Sequence, residues 1–533
     1  MSVGIVAQDP MAVGVGADVL RRGGNAVDAA VATAFAQCVV SPFMTSLGGS
    51  ARLHLFDGRS RRTTLLDAAA EVGSRPTPSS WEDEGLRRIE SLGQYQLASR
   101  ANLVGGWSVM VPGFVKGCWV AHERYGGGRL SWRELLLPAI ALAEGGVQID
   151  ATLAGAWDDG TGAELSTMAT TERLQVSEAS RRIYLKRDGA GYEQGDILRN
   201  PELARTLRRL ADAGGDDFYH GEIAREMAAD LASRGSTVTR EDLEAYQARE
   251  VAPLVGSLRG LEIRTTPPPS QGPLVAEMLQ IAARSIPPDV PYDSVAYLGL
   301  LADVQRAAFA DALGVAEGAL DVADVMGDAR AERWAAHLRS GLHVTVPAPV
   351  PTEPGTTHVS AIDQEGNIAL LTHSIGSSGG SGVVTGGLGF LYNNFLGHLR
   401  PRAGFPDAIC PGKRMGGGAP TFLFENGEPR LAVGAAGGSR LVSAMAQTVV
   451  NAVLFHLRPQ EAVSLPRVHS EEGRIVFVEE AFPAGLLEGL RERGHDARRS
   501  KPQARVQLVV IGQDGTAELA ADPRGGQARV VRR

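Results

Sequence analysis

The pattern of apolar and polar positions changes character about two-thirds of the way along the chain. Near the start, Asn25 to Val40 (NAVDAAVATAFAQCVV) is apolar almost all round, broken by Asp28 and Gln37. Such a run reads as a helix buried on several sides, with Asn25 as N-cap and Asp28 in its first turn. Residues 52–67 read as two strands around the turn at Asp57-Gly58. From about 130 to 335 the pattern is mostly helical. NPELARTLRRLADAGG starts on the cap Asn200, has Pro201 at the first helical position, and ends in glycines. TVTREDLEAYQARE carries Thr239 with Asp242 three residues on, a variant of the capping box. TTPPPSQG at 265–272 is a stiff turn-forming segment, and 340–355 (SGLHVTVPAPVPTEPG) is a Pro-rich linker.

Beyond that linker the period becomes two. HVSAID and IALLTHSI flank a turn at Glu365-Gly366-Asn367. TFLFENGEPRLAV turns at Asn426-Gly427, and RVQLVVIGQDGTAEL turns at Asp514-Gly515. Asn-Gly and Asp-Gly between alternating runs are the strongest short-range hairpin signals. With a helix from Arg440 to Leu457, the last third reads as an antiparallel sheet under helices, and the chain as a layered α+β protein. No internal repeat is visible.

Composition narrows the function classes. The 533 residues suffice for two to four ordinary domains or one large one. A net charge of −8 with scattered Lys and Arg excludes the basic stripe that nucleic acid requires. Cys38, Cys118 and Cys410 are too few and too irregularly spaced for a disulfide framework or a zinc site. The eleven histidines show no H-E-x-x-H or paired ligand spacing. The N-terminal stretch lacks a basic region followed by an apolar core, and no apolar run spans a bilayer. A cytoplasmic protein with no membrane partner is expected.

Three stretches carry candidate chemistry. GSSGG at 376–380 matches G-x-S-x-G around Ser378, but SGVVTGGLG behind it is a poor helix, so a loop is the better reading. The glycines of 376–389 lack the G-K-[ST] of a phosphate cradle and read as a close-packed loop. Gly355-Thr356-Thr357 stands where the linker meets a strand. Gly suits a turn and Thr a strand. Alternatively the chain is cut before Thr356. A freed threonine has a hydroxyl nucleophile and its own α-amine as base. It needs oxyanion donors, and the backbone N–H groups of Gly437 and Gly438 in GAAGGSR are candidates, against the plainer reading of a strand-to-helix turn.

Ordered segments along nearly the whole chain resemble the γ-glutamyltranspeptidase family of N-terminal-nucleophile hydrolases. They include LRRGGNAVDAA (20–30), SLGGSARL (46–53), VPGFVKG (111–117), FYHGEIA (218–224), VTREDLEAYQ (238–247), PPPSQG (267–272), TTHVSAID (356–363), KRMGGGAP (413–420), GAAGGSR (434–440) and LPRVHS (465–470). The resemblance implies a four-layer αββα sandwich formed jointly by two pieces of a self-cut precursor. Those pieces are 1–355 and 356–533, intertwined in one structural domain. It implies cleavage between Gly355 and Thr356 and Thr356 as nucleophile. Ser374 stands at the position of a threonine that hydrogen-bonds the nucleophile, and Gly437 and Gly438 form the oxyanion hole. It implies no metal or organic cofactor and a small-molecule substrate.

The departures fall on the residues that hold the glutamyl head group. The position of the family's arginine is Ala69. Its paired serines are Gly416 and Gly417, its asparagine is Gly376, and its glutamine and acid are Phe395 and His398. Losing these charged partners removes several kcal/mol from recognition of a zwitterion. A non-glutamyl substrate is therefore expected, with cleavage of an amide or of a C–C bond next to a carbonyl. The family's range includes cephalosporin acylases, an oxamate amidohydrolase and members of alkylproline antibiotic pathways. Phe395 and the added glycines predict an apolar pocket, and His398 is a candidate for a carboxylate or phenol-like group. The alternatives are a genuine γ-glutamyl hydrolase or transferase and an inactive binding protein on the same scaffold.

Overall fold

The computed structural model describes residues 3–76, 80–81, 85–89, 94–157, 168–347, 355–501 and 504–531. Thirteen strands build its two large sheets. They are β1 Val3–Ala7, β2 Ser50–Asp57, β3 Arg62–Ala68, β4 Arg249–Val251, β5 Leu254–Leu258, β6 Leu261–Thr265, β7 Thr356–Ile362, β8 Ile368–Ser374, β9 Thr421–Glu425, β10 Glu428–Ala436, β11 Arg505–Ile511, β12 Ala517–Ala521 and β13 Gln527–Val531. One sheet has the order β13-β1-β7-β8-β2-β3-β4, the other β5-β6-β9-β10-β11-β12, and both are antiparallel throughout. The sheets pack face to face through Val6, Phe56, Ile362, Leu370, Phe422, Phe424 and Val509.

Helices cover the outer faces. On the seven-stranded sheet lie α1 Pro10–Arg21, α2 Ala26–Val40 and α3 Phe114–Tyr125, with α4 Trp132–Gly145 stacked on α2. On the six-stranded sheet lie α5 Gly272–Ser285 and α7 Arg440–Val453, with α6 Val295–Ala316 stacked on α5. This is the αββα arrangement that the resemblance implies. The reason α2 is apolar all round is now plain. It runs between β7 and β8 on one side and α1 and α4 on the other, and all fifteen of its residues are buried. Its start is fixed as expected, by a reciprocal capping box between Asn25 and Asp28.

The three glycine-turn hairpins form where the alternation predicts them: β7–β8, β9–β10 and β11–β12. The helical reading of 130–335 needs correction, because β4, β5 and β6 lie inside it. Leu258 pairs with Leu261, so only Arg259 and Gly260 form the turn, with φ of 44° and 86°. Two consecutive positive φ values give the tight turn that matches strand twist. In the Pro-rich run, residues 348–354 lie outside the described residues. Among the described residues no helix is long and apolar enough to cross a membrane.

Both sheets contain strands from either side of residue 355. The sandwich therefore depends on contacts between the two stretches of chain. Phe422 sits between the sheets, fully buried, with its ring edge-on to His54 at 4.8 Å. Phe422→Ala is expected to remove about 3–5 kcal/mol of stability. Its thermal midpoint, measured by circular dichroism against wild type, checks this.

Candidate active site

Strands β7 and β8 are the central pair of the seven-stranded sheet, and every residue of both is buried. Their register places Thr356 opposite Ser374 at the open end of the hairpin. There Thr356 Oγ1 donates to Ser374 Oγ at 3.1 Å, and the Gly376 N–H donates to the same oxygen at 3.1 Å. Ser374 Oγ in turn donates to the carbonyl of Gly355. That carbonyl also accepts from the Ile375 N–H at 3.3 Å. The oxygen of the Gly355–Thr356 peptide thus has two donors, and a hydroxyl relay joins it to Thr356. A side chain at 355 has no room, because its Cβ would lie 2.3 Å from the Gly376 carbonyl oxygen.

This hairpin end opens into a cleft of about 840 Å³, lined by Thr356, Ser374, Gly376, Phe395, His398, Gly416, Gly417 and Gly438. Gly437 lies beside it, outside the lining. Gly437 and Gly438 have φ of 144° and 61°, a backbone that L side chains rarely adopt. A Cβ at Gly437 would also lie 2.6 Å from Ala504 Cα. Ala69 is the sequence-predicted position that is not brought to the cleft. It is buried, with its carbonyl accepting from Tyr246 Oη at 2.7 Å.

The departures have visible packing causes. A Cβ at Gly376 would lie 2.2 Å from Asn394 Oδ1, and that oxygen is held by the Ser377 N–H at 2.9 Å. A Cβ at Gly416 would lie 2.9 Å from Ser50 Oγ and 3.2 Å from Arg52 Nη1. Gly417 is the exception, since a Cβ there would sit in ordinary contact 3.5 Å from Thr356 Oγ1 and packing does not require the glycine. Phe395 belongs to an apolar cluster with Val72, Met110, Leu396, Leu399 and Ile409. Burial lowers the His398 pKa to about 4, so at neutral pH the ring is uncharged. As a partner for a carboxylate, the role considered from sequence, it offers no positive charge.

Sequence reasoning missed a buried charge system under this floor. Arg52, 3% exposed, donates from Nη1 to the Gly416 carbonyl at 2.5 Å and pairs through Nε with Asp67 at 3.3 Å. Arg414 bonds Glu71 at 2.8 Å and the Asp67 carbonyl at 2.9 Å. Asp67 and Arg414 reach the cleft wall. The available signal was an arginine in SARLHLF, a strand otherwise without a charged residue before Asp57.

The rejected motifs are loops here as well. Ser378 Oγ accepts from Thr170 Oγ1 at 3.2 Å, and no helix follows it. Gly380 and Gly382 are crowded by the backbone of Tyr392 and Arg173, where a Cβ would lie 2.1 and 2.2 Å from carbonyl oxygens. Among the described residues, Asp303, His343 and His495 come close enough for a metal. However, Arg306 Nη2 bonds both Asp303 and, at 3.2 Å, His495 Nδ1. A fixed guanidinium in that position repels a cation.

The chain has relatives with known activities. A family model described as gamma-glutamyltranspeptidase matches residues 12–531. The glutathione hydrolase proenzyme of Escherichia coli (strain K12) is 30% identical over 98% of this chain and 90% of its own length. The acylase ACY 1 proenzyme of Pseudomonas sp. (strain SE83) is 31% identical over 97% and 91%. The crystal structure of cephalosporin acylase from Bacillus halodurans superposes with a TM-score of 0.85 at 26% identity, covering 99% of this chain and 96% of that one.

Two histidines flank the site inside the sheet. His358 is held by Thr372 at 2.7 Å and Ser360 at 2.9 Å, and His373 by Thr45 and by Gln37 at 2.9 Å. Burial lowers both pKa values to about 3. In the unfolded chain they bind protons near pH 6.5. Between about pH 6.5 and 3 the unfolded state therefore holds more protons, and stability is lost as pH falls through that window. At pH 5 each is expected to have cost roughly 2 kcal/mol. Urea midpoints at pH 7 and pH 5 should show the fall, and His358→Gln should make it shallower.

Proposed function

Since this chain belongs to the gamma-glutamyltranspeptidase family of N-terminal-nucleophile enzymes, we propose that it cuts itself at Gly355–Thr356 and then hydrolyses an amide whose acyl group is not glutamyl. The observation that carries the first step is the doubly hydrogen-bonded Gly355 carbonyl beside the Thr356 hydroxyl. Thr356 Oγ1 attacks the Gly355 carbonyl carbon. The negative charge that develops on the carbonyl oxygen is met by Ser374 Oγ–H and Ile375 N–H. The hydroxyl proton moves by way of Ser374 to the departing nitrogen. The C–N bond breaks, leaving an ester on Thr356 Oγ1 and a free α-amine. Water hydrolyses the ester and gives chains of 1–355 and 356–533.

In the second chemistry the α-amine of Thr356 takes the proton from its own hydroxyl, and Oγ1 attacks the substrate carbonyl. The N–H groups of Gly437 and Gly438 receive the oxyanion. The leaving amine departs with the proton, and water releases the acid. Ser374 orients the nucleophile in both reactions.

The non-glutamyl reading rests on the floor of the cleft. Phe395, uncharged His398, Gly376, Gly416 and Gly417 line the cleft, and the sequence resemblance aligns them with the family's head-group contacts, while Ala69 is outside the lining. Arg52 and Arg414 are already committed to protein partners. The similarity to an acylase proenzyme and to a cephalosporin acylase favours amide cleavage over C–C cleavage. A role in antibiotic-type specialised metabolism fits the same reading. The second reading, γ-glutamyl hydrolysis or transfer, is favoured by the identity with the Escherichia coli glutathione hydrolase proenzyme.

Intact mass and N-terminal sequencing test the self-cutting. Wild type should yield two chains, one beginning at Thr356, and Thr356→Ala a single chain. Ser374→Ala should slow cutting by roughly 10²–10³, the effect of losing one oxyanion donor. A single uncut wild-type chain would remove the basis for the nucleophile.

Substrate choice is tested by comparing p-nitroanilides of γ-glutamate, glutarate and straight-chain acids. The expected result is a kcat/KM at least tenfold higher for an acyl group without the α-ammonium. A preference for the γ-glutamyl compound would establish the second reading instead.

A further inference from the structure

The cleft is much larger than the hairpin end needs, and its far part is built from another layer. Phe309, Ala312, Leu313 and Ala316 lie at i, i+3, i+4 and i+7 on α6, so they form one stripe of that helix. That stripe lines the cleft, with Phe309 and Ala312 anchored at the same time in the core beneath the helix. Leu274 of α5 and Val325 of the short helix Val322–Val325 complete the wall. The same cavity contains Thr356 at its other end, so the apolar arm and the nucleophile share one continuous space.

The acidic group on the α5 side of the arm does not make it polar. Glu277, 1% exposed, sits against Asp311. Asp311 keeps its charge because Arg330 holds both its oxygens and Trp334 Nε1 donates to it at 2.9 Å. Burial and that neighbouring carboxylate push the Glu277 carboxyl well above the usual range, in the direction of its neutral form. The apolar wall and a volume of about 840 Å³, near the top of the usual ligand-site range of roughly 300–1,000 Å³, favour the same kind of occupant.

We infer that the α5–α6 arm is a subsite for an extended apolar group of the substrate, an alkyl chain or aromatic system joined to the scissile amide. This rests on the amidase reading of the cleft and names its substrate class. Burying each methylene of such a chain tightens binding about fourfold, so a few of them suffice for the tenfold discrimination tested below. The group belongs either to the acyl half or to the leaving amine.

The test is binding rather than turnover, so it stands apart from self-cutting and catalysis. Purified wild-type protein is titrated in a calorimeter with decanamide, N-decylacetamide and acetamide. Decanamide carries its chain on the acyl side and N-decylacetamide on the amine side. One of the two is expected to bind at least tenfold more tightly than acetamide. Ala312→Trp, which fills the arm, should abolish that gain, and so should Leu313→Arg, which places a charge in it. Thermal midpoints close to wild type establish that the variants are folded, and either variant alone suffices. If neither decyl compound binds better than acetamide, or if both folded variants bind as wild type does, the subsite does not exist. If the subsite binds while Thr356 is never freed, the amidase reading fails and the arm stands.

Discussion

The hydrogen bond from Thr356 Oγ1 to Ser374 Oγ is the contact on which the site depends, and the fold is what makes it possible. A threonine hydroxyl is a weak nucleophile unless it is held in one rotamer beside a proton acceptor. Here the holding is done by strand register. Thr356 and Ser374 face each other at the end of a seven-residue ladder at the centre of a sheet buried on both faces. A one-residue slip would turn Thr356 to the opposite face and bury a polar hydroxyl among helices. The apolar residues of the two strands, packed on α2 and on the second sheet, therefore fix the position of the chemistry. The same constraint explains Gly355, since a Cβ there would run into the carbonyl oxygens of residues 376 and 377.

Much of this was legible in the sequence because the relevant signals are local. Asn426-Gly427 and Asp514-Gly515 mark hairpins by φ preference alone, and Asn25 with Asp28 marks a helix start by hydrogen bonding alone. The β5–β6 hairpin was missed because its turn is Arg259-Gly260. Arginine carries no preference for positive φ, so only tertiary pairing with β9 makes the turn worthwhile. Strands β1 and β13 were missed for a related reason. β13 pairs with β1, and β1 with β7, across the whole length of the chain. No short-range pattern encodes such a contact.

The site was legible where backbone chemistry decides it and obscure where side chains compensate for one another. Thr356 and the glycines at 437 and 438 stand out as candidates from the residues themselves, and Ser374 only through the family resemblance. Arg52 does not. It lies on β2, which is buried on both faces for seven of its eight residues. In such a strand, alternation no longer tells an inward position from an outward one. Only the structure shows that Arg52 reaches the floor and that a side chain at Gly416 would crowd both Ser50 Oγ and the Arg52 guanidinium.

That compensation changes how the lost head-group residues should be understood. A buried guanidinium is costly unless its hydrogen bonds are met, and Arg52 meets them with the Gly416 carbonyl and Asp67. Restoring a serine at 416 alone would crowd Arg52 and leave part of its charge unmet. Restoring an arginine at 69 would add a cation close to Arg414, whose ion pair with Glu71 and bond to the Asp67 carbonyl already use the local acceptors. The floor is therefore an alternative set of mutually satisfied contacts rather than a glutamyl site with pieces removed. Its outward face is left to glycine backbone, Phe395 and a neutral imidazole, and beyond them lies an apolar helix stripe. On the proposed reading a substrate is selected by shape and apolar area, while the hydroxyl relay is positioned by strand pairing and by the Gly376 N–H.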